Sequence, residues 1–383
     1  MFKRLSGADE ALRALLDRCR PIAGSESIAL AGSVARVLAK NITSSIDLPA
    51  FNRAAMDGFA VRSSETRGAS PLNPICIGGF LPVRTGMAIP DGFDAVVMLE
   101  DSMLRGEDLE VTAVAYPYRN VSRIGEDIKR GDTVLEQGHR LRPPDIALFS
   151  ALGVESVDVY ERPKVAIIPT GGELVAIGSR ALRPGEAYEI NGLMARLYMK
   201  MWGGEPLLHG IVPDAPEDIR RAIESSLSAD MVVVIGGTSV GEMDHAPRAV
   251  ERLGELLVHG VRIQPGKPTA LGIIADKPVV CLPGYPVAAL SALYLLVRPV
   301  LRRMAHLDET LPKVNARLAG KITSRPGYLS IVRVTLSGDK AMPIMSSGAG
   351  ILSSVARADG FVVVPEEKEG IETGEMVEVS LFE

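Results

Sequence analysis

At 383 residues, with 46% hydrophobic and 23% charged side chains, the chain carries enough apolar material for roughly two to four cored domains and is not disordered. A formal net charge of −5 argues against general nucleic-acid or anionic-membrane binding, and aromatics at 4% are too sparse for a single-stranded nucleic-acid platform. Three far-spaced cysteines without a CxxC indicate neither a structural zinc nor a disulfide framework, which points to a reducing compartment.

Met1-Phe-Lys-Arg-Leu5 has no apolar signal core. No run approaches the roughly 18 apolar residues of a spanning helix, so a cytoplasmic location without membrane contact is expected. Apolar residues at helical spacing predict a helix over residues 8–19 and a second over 24–40, with Ala29, Val34, Val37 and Leu38 on one face. Asp47-Leu-Pro-Ala-Phe-Asn-Arg-Ala-Ala-Met-Asp-Gly-Phe-Ala-Val61 carries turn chemistry at Pro49 and Asp57-Gly58, where Asp57 can simply shape the turn. Between Ile75 and Gly131, short strands broken by Gly, Pro and Asp predict a small β domain. It holds Thr85-Gly86, either an ordinary loop cap or a hydroxyl and N–H pair for an oxyanion. It also holds Asp127, beside Glu126, which alone reads as a solvated charge pair.

Residues 144–152 predict a short helix with Pro144 in its first turn and Gly153 beyond its end. The chain is expected to return there to a helical linker domain (1–43 plus 132–160), leaving 44–131 as a β-rich insertion. Strands and helices then alternate. Val165-Ala-Ile-Ile168 leads into Thr170-Gly-Gly-Glu-Leu174, Asn191 caps a helix, and Leu207–Val212 precedes a helix opened by Pro213–Asp218. Asp214 followed by Glu217 fits an acidic capping box. Met231-Val-Val-Val-Ile235 has no polar alternation, the habit of a strand buried on both faces. Val279–Leu282 runs into Pro283-Gly-Tyr-Pro286 and an apolar helix to Met304. This density of alternation predicts a doubly wound, mostly parallel α/β domain over 161–308. Strands joined by turns predict a separate C-terminal β domain over 309–383.

Glu173, Asp214 and Asp244 each follow a predicted parallel strand, so neighbouring strands would bring three acids to one sheet edge. Converging carboxylates repel and call for a divalent metal or a cationic side chain. Lys267, in Pro265-Gly-Lys-Pro268, is a compact charge suited to an oxyanion, and Gly236, Gly237 and Gly241 let backbone N–H groups approach a ligand. The plain alternative is an acidic rim with no ligand. Neither GxxxxGK[ST] nor GxGxxG occurs, and five scattered histidines do not suggest a His-based metal site.

Taken in order, the 49–61 motif, Arg84-Thr-Gly86, Gly125-Glu-Asp-Ile128, Thr170-Gly-Gly-Glu-Leu174, Gly236–Asp244, Pro265–Pro268 and Leu282-Pro-Gly-Tyr-Pro286 resemble the molybdenum insertase family, the MoeA-type molybdopterin molybdotransferases that include the gephyrin E domain. The resemblance implies four domains and a homodimer whose active cleft is shared between the α/β domain of one subunit and the β insertion of the other. It also implies the reaction of adenylylated molybdopterin with molybdate to give molybdenum cofactor and AMP, with Mg²⁺ as divalent cation. A molybdopterin adenylyltransferase is the implied upstream partner. Asp57, Thr85, Asp127, Glu173, Asp214, Asp244 and Lys267 fall on functional positions, with Glu173, Asp214 and Asp244 toward the metal. Gly236, Gly237, Ser239, Gly241, Gly266, Pro283 and Gly284 fall on ligand-binding loops. Gly172, Gln264, Tyr285 and Ala349 depart from the common family pattern and bear on molybdate against tungstate preference. Other readings are a non-catalytic pterin-binding scaffold and a nucleotide-pyrophosphate hydrolase on the same α/β layer.

Overall fold

The computed structural model describes residues 5–238, 244–344 and 350–383. The Met231–Ile235 run is a central strand with every side chain buried, as an unalternating β-branched segment should be. Its sheet runs in the order Glu205–Leu208, Lys164–Pro169, Met231–Ile235, Lys277–Leu282, Ala270–Ile274, Glu255–His259. The first four strands are mutually parallel and the last two are added antiparallel.

Side chains along each strand alternate between two cores. Val165, Ile167, Met231, Val233, Ile235, Val280 and Leu282 join the core that includes Leu15 of the Ala8–Leu16 helix, Met199 of Asn191–Met201 and Leu290 of Pro286–Ala292. Ala166, Ile168, Val232, Val234, Val279 and Cys281 face the opposite core, with Ile219 and Ile223 of Pro216–Ser225 and Val250 of His245–Leu253. Helices thus cover both faces, the doubly wound arrangement.

Several local expectations change. The helix expected from 287 to 304 is interrupted: Pro286–Ala292 and Arg298–Met304 are separated by a π turn at Leu293–Val297. Pro299 supplies the reason, since it lacks an N–H for the ladder and crowds the preceding turn. The helix expected over 24–40 is instead a strand, Ser25–Ala29, followed by a 3₁₀ turn at Leu30–Gly32. That strand pairs with Ser156–Tyr160, well over a hundred residues away, and Val34 is exposed rather than on a core face. Long-range pairing overrides the local periodicity.

The chain divides into two compact units, one made of residues up to Ser25 with Tyr160–Glu383, the other of Glu26–Val159. In the second unit, Gly58–Val61 is the middle strand between Phe80–Val83 and Ala95–Met98. A second three-stranded sheet holds Ile75–Ile77, Asp108–Val111 and Ser102–Arg105. The same unit includes the Pro143–Ala151 helix, whose Phe149 packs with Leu30, Leu38, Leu141, Val157 and Val159. In the first unit, Leu329–Ser337 pairs with both Lys340–Pro343 and Gly360–Val364, so five strands after residue 312 close into a small barrel around its own core. No described helix is long and apolar enough to cross a membrane.

Two buried charges anchor these units. Arg298, 1% exposed, pairs both ways with Glu383 at 2.7 and 2.9 Å and donates to Glu309 O at 2.8 Å and Thr310 O at 3.2 Å. Asp145, 5% exposed, accepts from the Arg142 guanidinium, the His139 ring and the Arg142 backbone N–H, which together hold its carboxyl well below the usual range. Arg298→Ala should cost roughly 3–5 kcal/mol in urea unfolding because it leaves Glu383 and two carbonyls uncompensated. A loss no larger than a surface substitution gives would show that water already satisfies them. For Asp145 the folded pKa is depressed, so its contribution is present above the unfolded value of about 4 and is lost as pH falls through the folded value. The stability gap between the wild type and Asp145→Asn should therefore be about 2 kcal/mol at pH 7 and shrink steadily below about pH 4. A gap that does not change with pH would remove this assignment.

Candidate active site

The carboxyl ends of Lys164–Pro169, Met231–Ile235 and Lys277–Leu282 meet without side chains between them. Gly236 sits at φ +103°, and a Cβ there would come 2.3 Å from Thr170 O. Gly237, at φ +62°, lies beside Asp214, with Oδ1 3.4 Å from where a Cβ would be. Gly284 backs onto the Gly236 Cα, and its carbonyl accepts from Asn191 Nδ2 at 2.7 Å. Only glycine allows the two positive φ angles and this approach. Ser239 and Gly241 of the same loop lie outside the described residues.

Asp214 is not the helix cap that its spacing suggested. The helix begins at Pro216 with Ala215 at the cap position, and Asp214 Oδ1 is buried without a hydrogen-bond partner. Burial raises its pKa and the nearby Glu173 charge raises it further, against the lowering effect of His245. Thr170 Oγ1 and Asn191 Oδ1 are likewise buried without partners around the same glycines. Three orphaned oxygens in one place are costly in a ligand-free fold and mark a site that a ligand completes.

Glu173 lies exposed against Gly171, within electrostatic reach of Asp214. Asp244, 6% exposed, precedes the His245–Leu253 helix and instead holds His259 Nε2 at 2.6 Å. Among the described residues no three His, Cys, Asp or Glu side chains form a group able to hold a metal. The Glu173–Asp214 pair nonetheless fits a hydrated divalent cation, which takes one or two carboxylates and completes its shell with water and ligand oxygens.

Lys267 and Gly266 line a cavity of about 620 Å³, together with Gln264, Pro283 and Tyr285. Its other wall comes from the barrel: Ser324, Arg325, Tyr328, Ser330 and Arg333. Among the described residues that line it, Lys267, Arg325 and Arg333 are cationic and none is acidic. Arg333 is 7% exposed, and burial lowers its pKa. The barrel residues escaped the sequence reading because nothing local distinguishes an arginine on a strand that faces a cavity from one that faces solvent. Gln264 is neutral on this wall, and Ala349 lies outside the described residues.

In the second unit, Asp57 Oδ1 accepts the Thr85 backbone N–H at 2.7 Å and the Thr85 hydroxyl at 2.8 Å, which lowers the Asp57 pKa. The turn that Asp57 shapes is thus one between two separate motifs. Asp127 is exposed, and its N–H donates to Leu48 O at 3.1 Å. Asn52 Oδ1 accepts from Ile124 N, and Ala54 O from Gly86 N, so the three family motifs of this unit share one loop cluster.

Comparison with known proteins extends over the whole chain. Residues 7–153 match the MoeA N-terminal region (domain I and II), residues 166–303 the "Probable molybdopterin binding domain", and residues 315–382 the MoeA C-terminal region (domain IV). A Methanocaldococcus jannaschii protein named for molybdopterin biosynthesis is 37% identical over 365 residues, covering 91% of this chain and 89% of its own. The molybdopterin molybdenumtransferase of Haemophilus influenzae is 31% identical over 397 residues, covering 98% of each. The crystal structure of a molybdopterin biosynthesis MoeA protein from a Pyrococcus species superposes with a TM-score of 0.87 at 36% identity, over 99% of this chain and 100% of that one. With all three regions in order and relatives matched nearly end to end, the chain belongs to the MoeA family, the transferases of molybdenum cofactor biosynthesis.

Proposed function

We propose that the chain inserts molybdate into adenylylated molybdopterin, releasing AMP and forming molybdenum cofactor. The observation that carries this reading is the buried, unpartnered Asp214 oxygen beside Glu173, set at a glycine-lined sheet edge. A protein keeps such a desolvated acid where a cation and a ligand offset its cost. Glu173 and Asp214 would hold Mg²⁺, with Asp244 on the same rim and His259 fixing its direction. When bound, the ion would supply charge neutralisation for the phosphoanhydride oxygens. Backbone N–H groups at Gly236 and Gly237 and the Gly266, Pro283 and Gly284 loops would cradle the ligand. Lys267, with Arg325 and Arg333, would attract the oxyanion.

Asp57, Thr85 and Asp127 would complete the site from a second subunit of a homodimer. Asp57, held ionised by Thr85, cannot itself attract an anion; it would orient donors or water instead. An upstream adenylyltransferase would supply the substrate. A cytoplasmic setting accords with three free thiols, two of them buried. Gln264 and Gly172 remove a charge and a possible ligand from the family pattern, which leaves tungstate as the competing oxyanion and a non-catalytic scaffold as the competing role.

Incubation with adenylylated molybdopterin, Mg²⁺ and molybdate or tungstate, followed by AMP measurement, decides among these. AMP release is expected and should stop on chelation of the divalent cation. No release with either oxyanion would favour the scaffold. Asp214→Asn should lower turnover by roughly 10²–10³-fold. It should also raise stability by about 1 kcal/mol, since a buried unpaired charge is removed. Wild-type turnover in Asp214→Asn would take Asp214 out of the reaction. Lys267→Ala should raise the molybdate concentration needed for half-maximal rate, whereas an unchanged requirement would move the oxyanion elsewhere.

A further inference from the structure

The cationic cavity carries more than charge. Tyr285 stands at its edge with 68% of its surface exposed, although it lies between Pro283 and Pro286, where the chain has little freedom to move it. It immediately precedes the Pro286–Ala292 helix. Part of its ring rests on Gly350, where even a Cβ would lie 3.6 Å from Cδ1. From the barrel, Tyr328 lines the same cavity, and the Arg325 guanidinium lies 5.1 Å from its ring centroid. An aromatic ring left 68% exposed is in an unfavourable position. It becomes favourable when a flat ligand covers it.

We infer that Tyr285, facing the cavity shared with the Arg325–Tyr328 stack, is a platform for a planar heteroaromatic ring carried by the substrate. This rests on the insertase reading for its choice of ligand, since that substrate carries two such rings, the adenine and the pterin. Stacking is tolerant of ring identity, because every heterocycle presents a π face, and an arginine stack adds a cationic component. A Tyr at this position serves that purpose, whereas a short polar side chain would leave the ring with no surface to cover.

Calorimetric titration of the full chain with AMP, neopterin monophosphate, ribose 5-phosphate and molybdate tests the inference. Tyr285→Ala, at an exposed position, should keep the wild-type melting temperature. It should weaken AMP or neopterin monophosphate by about tenfold or more, the scale of one stacked ring. Tyr285→Phe should bind that ligand as the wild type does. Ribose 5-phosphate and molybdate, which lack the ring, should be unaffected by either change. Whichever of the two ring-bearing ligands responds identifies the ring. If Tyr285→Ala binds both like the wild type, the platform is overturned and the insertase reading stands. If neither ring-bearing ligand binds the wild type, the platform is overturned as well. Absence of AMP release in the turnover assay would be the separate failure of the insertase reading.

Discussion

The close approach of strand ends at Gly236 governs the first unit. With Thr170 O only 2.3 Å from where a Cβ would sit, no other residue fits without pushing two parallel strands apart. That contact removes side chains from the middle of the sheet edge and leaves a floor of backbone. Around this floor stand Asp214, Thr170 and Asn191, whose buried oxygens find no hydrogen-bond partner among the described residues. The sheet is stabilised by two apolar cores, and its carboxyl edge is where some of that stability is spent.

Charge is separated along this edge. Glu173 and Asp214 share one end, where burial raises the Asp214 pKa, His245 opposes the rise and the Glu173 charge adds to it. Lys267, Arg325 and Arg333 share the neighbouring cavity, which no acid among the described residues lines. Asp244 takes the other course: His259 engages it, at 2.6 Å. An acid with a fixed protein partner is directed rather than repelled, which suits a group that orients others.

Much of this was readable beforehand. Met231–Ile235 could only be an interior strand, since four β-branched residues in sequence leave no polar face. The glycines after it, and the acids at comparable places after neighbouring strands, then pointed to one edge. What misled was local and ambiguous. Ala29, Val34, Val37 and Leu38 have helical spacing, yet Ser25–Ala29 pairs with a strand over a hundred residues away. Asp214 and Glu217 have cap spacing, yet the helix starts two residues after Asp214. In each case a short-range pattern fitted two structures, and a distant contact chose between them.

Order and chemistry along the chain were enough to identify the α/β layer and the C-terminal strands, because burial and turn formation act over a few neighbours. Closure of the last five strands into a barrel was beyond its reach, since a ring of strands is defined by pairings between residues far apart. So was the wall that Arg325, Tyr328 and Arg333 lend to the Lys267 cavity. The direction of Asp244 toward His259 and the stranding of the Asp214 oxygen were also decided only in three dimensions. A carboxylate's partner is whatever the fold brings within about 3 Å, and no spacing rule encodes that.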